Sequence, residues 1–514
     1  MANDFLQNFN VRCIGQSGTV TEVSTQQFDV VIVGAGFGGI GAAIQLKKLG
    51  YENILIVDRE SDLGGTWHVN RYPGLAVDIP STSYSYWFEP NPHWSRLFAP
   101  GGEIKRYASD VADKYDVRRH MRFNTAVDGA RWDEDAQLWQ VALADGDTLI
   151  TRVLITATGV LSQPRSPQLP GINEFAGRVI HTAAWDDNYD FEGRRVAVIG
   201  TGATAVQLIP ELAKQAADLT VYQRTPIHVG PKNDFAIPES LRRLFARAPL
   251  IQRAVRWITD MTYELTFVLG VLHYRRFQWL NTTGEYLSTL LRFISIRDKE
   301  LRRKLTPAYD LGCKRPTFSN SYYRTFTKPH VHLQVTGVER FEPDGIVATD
   351  GTKTEIDALV LATGFDLWEA NFPAIEIIGR DGRNLGKWWR NKGFQAYQGL
   401  TIPYFPNLLS LASPYAVSLN FFDMMEYQMR HMDRLLGEVR RRNATTFEIT
   451  EEANDRFRDR MSKLQHNTVF YLGNCAGARS YYFSPHGETY LRATSTRATV
   501  SEQASFALSD YAIA

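Results

Sequence analysis

The chain has 514 residues, room for two to four domains at about 100–200 residues each. Its 57 Lys+Arg are dispersed among 56 Asp+Glu, and the formal net charge of +1 argues against the basic stripe of a dedicated nucleic-acid binder. With 44% apolar and 22% charged residues it has the ordinary composition of a soluble protein with large cores.

Residues 1–27 are polar and aperiodic and read as an N-terminal extension. FDVVIV (28–33) is a continuous apolar, β-branched run, the pattern of a parallel strand covered by helices on both faces. Gly34, Gly36 and Gly39 follow as G-x-G-x-x-G and open a helix-like stretch to about Leu49. Gly34 permits the tight turn, Gly36 a close approach to a pyrophosphate, and Gly39 close helix–strand packing. The helix N-terminus then offers free N–H groups to the phosphates. NILIVD (53–58) is the next strand, and Asp58 stands at its end, 19 residues past Gly39, where an acid binds ribose hydroxyls.

VLITATG (153–159) reads as a strand leaving this sheet, and Pro164, Pro167, Pro170 and Gly171 make a stiff connector. A second unit starts at RRVAVIG (194–200), with Gly200, Gly202 and Ala205 as G-x-G-x-x-A. Pro210 is expected to kink its helix. The following strand, DLTVYQR (218–224), ends not in an acid but in Arg224 and Thr225, which suits a 2′-phosphate and so NADPH over NADH; the plain alternative is a solvated surface arginine. Residues 236–304 read as amphipathic helices. ALVLATGFD (358–366) ends in the same Ala-Thr-Gly and reads likewise as a point where the chain leaves a sheet, with the second unit placed between the two.

The expected fold is therefore α/β, with two Rossmann-like dinucleotide-binding domains, the second inserted in the first, and a helical subdomain. The first, FAD-binding, spans 28–165 and 360–514; the second, NADP-binding, spans 172–355 and carries the helical insertion 236–304. Two dinucleotides on one chain imply electron transfer from NADPH to FAD and on to an acceptor. Cys13, Cys313 and Cys475 contain no Cys-x-x-Cys pair and are too few for a disulfide framework; they suit a reducing cytosol and a cytoplasmic protein. Disulfide reduction is thus disfavoured, leaving oxygen or an external acceptor. The eleven histidines show no metal-ligand spacing, so no metal site is expected.

Two further motifs carry a family resemblance. GGTWHVNRYPGLAVD (64–78) resembles a G-G-x-W…Y-P-G-x-x-x-D fingerprint, and FAGRVIHTAAWDD (175–187) matches F-x-G-x-x-x-H-x-x-x-W-[P/D] at Phe175, Gly177, His181, Trp185 and Asp186. With both glycine motifs, the chain resembles the Baeyer–Villiger monooxygenases, class B flavoprotein monooxygenases, from about residue 28 to about 480. The resemblance implies tightly bound FAD, reduction by NADPH, a C4a-peroxyflavin, and conversion of ketones to esters or lactones. It implies an arginine, Arg315, that stabilises the peroxide anion, an aspartate, Asp78, that positions it, and a lysine, Lys314, on the 2′-phosphate. Thr66, Trp67, Tyr84 and Val127 fall at flavin-contacting positions by the same resemblance. His181 falls in the link between the two domains. One departure is Ala76-Val77 in place of the family's frequent Arg-x before Asp78, which implies a different positioning of NADP or a different pKa for the site.

Three readings of 236–304 stand open: a packed core, a lining for a lipophilic ketone, and contact with a bilayer surface. The last is suggested by the apolar residues 265–274 followed by Arg275 and Arg276, a run about half the roughly 20 residues needed to span a membrane. Residues 481–492 are expected to help close the pocket. Sulfoxidation or N-oxidation, an uncoupled NADPH oxidase and a non-catalytic dinucleotide-binding regulator are the competing functions.

Overall fold

The computed structural model describes residues 25–416, 418 and 420–514; residues 1–24 of the expected extension, with Cys13, lie outside them. The first sheet is built from β1 (Thr25–Val33), β2 (Ile54–Val57), β3 (Met121–Arg122), β4 (Val127–Asp133), β5 (Leu138–Leu143) and β6 (Thr148–Thr156), in the order β4-β5-β6-β1-β2-β3. β1 begins three residues before the apolar run, because Thr25 already pairs with Thr148 of β6. Val30–Val33 are buried, as are Ile54–Val57 beside them. Helix α1 (Phe37–Lys48) is buried through most of its length, so it reads as apolar all round rather than striped. Helices α2 (Thr66–Val69) and α3 (Gly101–Lys114) follow β2.

The second sheet is wholly parallel. It contains β7 (Arg178–His181), β8 (Arg195–Ile199) and β9 (Asp218–Tyr222), with strand Val331–Gln334 outside β9 and strand Ala358–Leu361 between β8 and β7. Strand Ala358–Leu361 is where the chain leaves a sheet, as expected, but the first domain does not resume at residue 360. The strand lies inside the second sheet, because β7 occupies the edge and leaves a gap beside β8. The chain returns to the first sheet only with Glu376–Ile378, beside β4, and Leu408–Ser410, beside β6.

Helix α4 (Ala203–Leu212) follows β8 and continues through Pro210 to end two residues later. The proline withholds an N–H from the Val206 carbonyl, and the helix ends within one turn after it.

The insertion is helical as expected: α5 (Glu239–Arg247), α6 (Pro249–Tyr263), a π-helical turn (Glu264–Val268), α7 (Leu269–Leu272), α8 (Tyr274–Ser295) and α9 (Lys299–Lys304). Its faces are not those of a core helix. α8 buries Asn281, Ser288 and Arg292 and exposes Trp279, Tyr286, Leu290 and Ile294. Among the described residues no helix is long and apolar enough to cross a membrane.

The chain crosses between the sheets twice, and the crossings run side by side. Arg165 donates its backbone N–H to Gly364 O (2.9 Å), Asp366 donates to Gln163 O (2.8 Å), and Pro164 faces Phe365 in an antiparallel bridge. Cys313 and Cys475, 162 residues apart in sequence, form a disulfide with Cα atoms 5.2 Å apart. The expectation of unpaired thiols fails here, because the loop after α9 meets the C-terminal segment at a distance no sequence spacing reveals. With it goes the argument from cysteine usage to a reducing compartment.

Candidate active site

The first glycine loop is shaped by backbone contact. Gly34 has φ +114°, and a Cβ there would lie 2.5 Å from Ala157 O; a Cβ on Gly39 would lie 1.9 Å from Gly34 O. Both positions exclude a side chain, one by conformation and one by space. At Gly36 a Cβ would stand 3.6 Å from the Gly65 Cα, and Gly64 N–H donates to Ala35 O. The start of the first fingerprint thus lies across the glycine loop. Asp58 is held in the same place: Ala35 N–H donates to its Oδ2 (2.6 Å) and Glu60 N–H to its Oδ1 (2.9 Å). Each oxygen keeps a lone pair for a hydroxyl.

Thr66 opens α2 beside Gly65, and the Trp67 indole N–H donates to the Tyr84 hydroxyl (3.0 Å). Tyr84 also meets the edge of Phe422. Burial, chiefly, raises the Tyr84 phenol far above its usual pKa, so it stays a neutral donor. Val127 begins β4, two residues after Thr125, whose N–H donates to Asp58 O. The structure therefore gathers Gly34, Gly36, Gly39, Asp58, Thr66, Trp67 and Tyr84 around one loop, with Val127 on the adjoining strand.

The second loop repeats the geometry. Gly200 has φ +117°, with Ala362 O 2.3 Å from a Cβ placed there, while nothing lies within 4 Å of a Cβ on Gly202. Ala205 is fully buried behind it. Thr225 O accepts from the Thr201 hydroxyl (2.8 Å) and so fixes the loop after β9. Arg224 is exposed but not isolated. Burial, followed by repulsion from Arg224 and Arg479, pulls the Lys314 ammonium down to about 8; Arg224 itself is lowered by burial, then by Arg479 and Arg165. Arg224, Lys314 and Arg479 are thus gathered closely enough to repel one another. Arg479 was missed by sequence reasoning, since it lies 255 positions beyond Arg224 in a segment without a motif.

Asp78 and Arg315 meet in a two-pronged ion pair: Nε donates to Oδ2 (2.6 Å) and Nη2 to Oδ1 (2.8 Å). This fork geometry is available to arginine and not to lysine. Burial alone would raise the Asp78 carboxyl and lower the guanidinium. Their mutual attraction outweighs it, leaving the carboxyl below its usual range and the guanidinium well above its own. The pair is charged at every working pH. Val77 is buried and Ala76 is clamped by Gln207 of α4, which donates Nε2–H to Ala76 O (2.9 Å) and accepts from the Tyr72 hydroxyl (3.0 Å). Gln207, another residue without a sequence signal, thus ties the first fingerprint to the second unit.

A partly open cavity lies beside the ion pair; Ile79 and Pro80, the two residues after Asp78, and Pro316, the residue after Arg315, line it together with Gly312. Tyr263, Val268, Val271 and Leu272 of the helical insertion form one wall, and Tyr482, Leu491 and Arg492 another, so the 481–492 segment does border the space. Glu264 and Asp423 also line it. Burial raises both carboxyls, that of Asp423 strongly with help from Asp260, which favours their neutral forms.

The second motif explains itself as architecture. Phe175 and Trp185 are buried, Trp185 stacking on Phe191 at 5.4 Å; a Cβ on Gly177 would lie 2.3 Å from the Phe175 ring. Arg178 donates to Asp186. His181 ends β7, accepts from Ala183 N–H at Nδ1 (3.1 Å) and lies 3.4 Å from the Thr363 hydroxyl, which itself donates to Arg165 O. It stands where the two crossings meet, and burial lowers its pKa.

Two dinucleotide units, each with a glycine loop between strand and helix, define an oxidoreductase of the two-nucleotide class; residues 28–248 match the family model described as pyridine nucleotide-disulphide oxidoreductase. Over 483 residues the chain is 36% identical to a Baeyer-Villiger monooxygenase of Pseudomonas aeruginosa, covering 93% of this chain and 89% of that one. A Baeyer-Villiger monooxygenase of Streptomyces coelicolor is 35% identical over 466 residues, covering 89% and 87%. The solved structure of OTEMO in complex with FAD and NADP superposes with a TM-score of 0.83 at 28% identity, covering 95% of this chain and 99% of that one. The chain belongs to the Baeyer–Villiger monooxygenases, flavin-dependent enzymes, and its cofactors are FAD and NADPH.

Proposed function

We propose that the chain converts a lipophilic ketone to an ester or lactone, with NADPH and dioxygen as co-substrates, in the cavity beside Asp78 and Arg315. The observation that carries this reading is the forked ion pair, whose sequence neighbours Ile79 and Pro316 line the cavity. The bound flavin would supply the oxygen-activating redox chemistry. Gly34, Gly36, Gly39 and the N-terminus of α1 would hold its pyrophosphate, Asp58 its ribose, and Thr66, Trp67, Tyr84 and Val127 its ring system. Gly200, Gly202 and Ala205 would hold the NADP pyrophosphate, with Arg224, Thr225 and Lys314 around the 2′-phosphate.

Arg315 offers a permanent positive charge to the oxyanion that develops on an attacked carbonyl, and Asp78 keeps that charge aimed. The aromatic and aliphatic lining, Tyr263, Val268, Leu272, Phe470 and Leu491 among it, excludes water and selects an apolar substrate. The raised pKa values of Glu264 and Asp423 fit a pocket for an uncharged ligand. We place the enzyme in the cytoplasm, where NADPH is at hand.

The test is product analysis with the FAD-loaded enzyme, NADPH, oxygen and a panel of apolar ketones beside a thioether. Ester or lactone formed in proportion to NADPH consumed is the expected result. Sulfoxide without ester, or hydrogen peroxide balancing all the NADPH, would overturn it.

A further inference from the structure

We propose that the helical insertion seats this enzyme on the surface of an anionic lipid bilayer. The first observation is that α6 and α8 are inside out. α8 buries Asn281, Ser288 (1% exposed) and Arg292, and presents Trp279 (63%), Tyr286, Leu290 and Ile294 (62%) to the outside at helical spacing. α6 buries Gln252 and Arg256 and presents Leu250, Trp257 and Ile258. Of the 17 large apolar side chains exposed among the described residues, 12 lie between Leu244 and Ile294. Soluble monomers rarely gather apolar exposure in one region.

The orientation is fastened by the buried polar groups. Gln252 Nε2 donates to Asn91 O (2.6 Å), Arg256 Nη1 to Ser85 O (2.8 Å), and Asn281 Nδ2 to Leu311 O (2.6 Å). Rolling either helix to bury its apolar side would strand these donors. The outward side is therefore a fixed surface with something to cover it.

Charge selects the occupant. Residues 236–304 hold 13 Lys+Arg against 6 Asp+Glu, although the whole chain is almost neutral. Arg243, Arg247, Arg253, Arg275 and Arg276 are all exposed there. A second copy docked face to face would set this positive surface against itself. Anionic headgroups complement it, and exposed Trp and Tyr are the residues that settle at the lipid–water boundary. The same segment also walls the cavity: Tyr263, Val268 and Val271 face it while Leu265, between them, is exposed. Delivery of a membrane-dissolved ketone into that cavity rests on the function proposed above; the docking itself does not.

The experiment is sedimentation of the full, FAD-loaded chain with phosphatidylcholine vesicles with and without phosphatidylglycerol, and light scattering without lipid. Expected is several-fold more protein on the phosphatidylglycerol vesicles at low salt, reduced at high salt. The triple substitution Trp257→Ser, Trp279→Ser and Ile294→Ser should abolish it, with flavin absorbance and the turnover of a water-soluble ketone unchanged. Absence of binding to either vesicle overturns the proposal. So does a triple variant that binds as well as the parent, or a dimer that the triple variant dissolves, which would assign the face to a second copy. Ketone turnover without vesicle binding refutes the docking alone; vesicle binding without ketone turnover refutes the proposed function alone.

Discussion

Arg315 shows how a single side chain combines fixed charge and fixed direction. Replacing it with alanine leaves Asp78 without its forked partner and alters no residue of either glycine loop, so FAD binding and NADPH oxidation should persist. Ester formation should fall by about 10²–10³-fold, the usual cost of losing one oxyanion partner. Arg315→Lys should rescue little of it, because a lysine cannot make the two-pronged contact; gas chromatography of the product decides. Arg224→Ala should raise the KM for NADPH by about ten- to a hundredfold, as expected for loss of a charge-assisted hydrogen bond, and leave that for NADH nearly unchanged. Lys314 adds a pH dependence. Its ammonium, lowered to about 8, is charged below that value and neutral above it. The KM for NADPH should thus climb as pH rises past about 8, while that for NADH stays flat; bound phosphate holds the proton on and shifts the complex's own titration upward. An equal climb for both nucleotides would remove Lys314 from the 2′-phosphate site.

Among the elements, the strand–loop–helix units were the most legible in the sequence, because period and glycine spacing are local. β1, β2, β8 and β9 fall where the apolar runs stand. Gly39 shows why that spacing is strict. A methyl there would overlap Gly34 O, so Gly39→Ala should push the loop outward and yield protein purified with little flavin and a lowered Tm, read by absorbance and calorimetry. What required folding to see was any pairing of distant residues. Nothing local joins Asp78 to Arg315, and only the family resemblance paired them; nothing at all pointed to Arg479, Gln207 or the Cys313–Cys475 bond. The insertion stayed open for another reason. Periodicity shows that a helix has an apolar side, not which way that side faces, and in α6 and α8 it faces out. The placement of strand Ala358–Leu361 was hidden for a similar reason: a strand's own residues do not say which sheet has a vacancy for it.

At the scale of the molecule, two units share a cavity edge and two chain crossings. The clamp of Gln207 on Ala76 and the position of His181 beside Thr363 tie the site to the seam between them. Inserting two glycines after both Gln163 and Gly364 should leave each unit folded, with FAD content and the KM for NADPH little changed. Oxygenation should become inefficient, with more NADPH diverted to hydrogen peroxide, measured by a peroxidase-coupled assay. Unaltered coupling would show that the seam has no part in the reaction. The two crossings themselves, hydrogen-bonded to each other through Gln163, Arg165, Gly364 and Asp366, have a mechanical meaning. Two independent tethers would let one body wander over the other, whereas two strands zipped into a ribbon give a door-like joint with one easy axis. Any movement of one unit against the other would thereby be narrowed to a swing, with the pose that closes the Asp78–Arg315 site reached along a single axis.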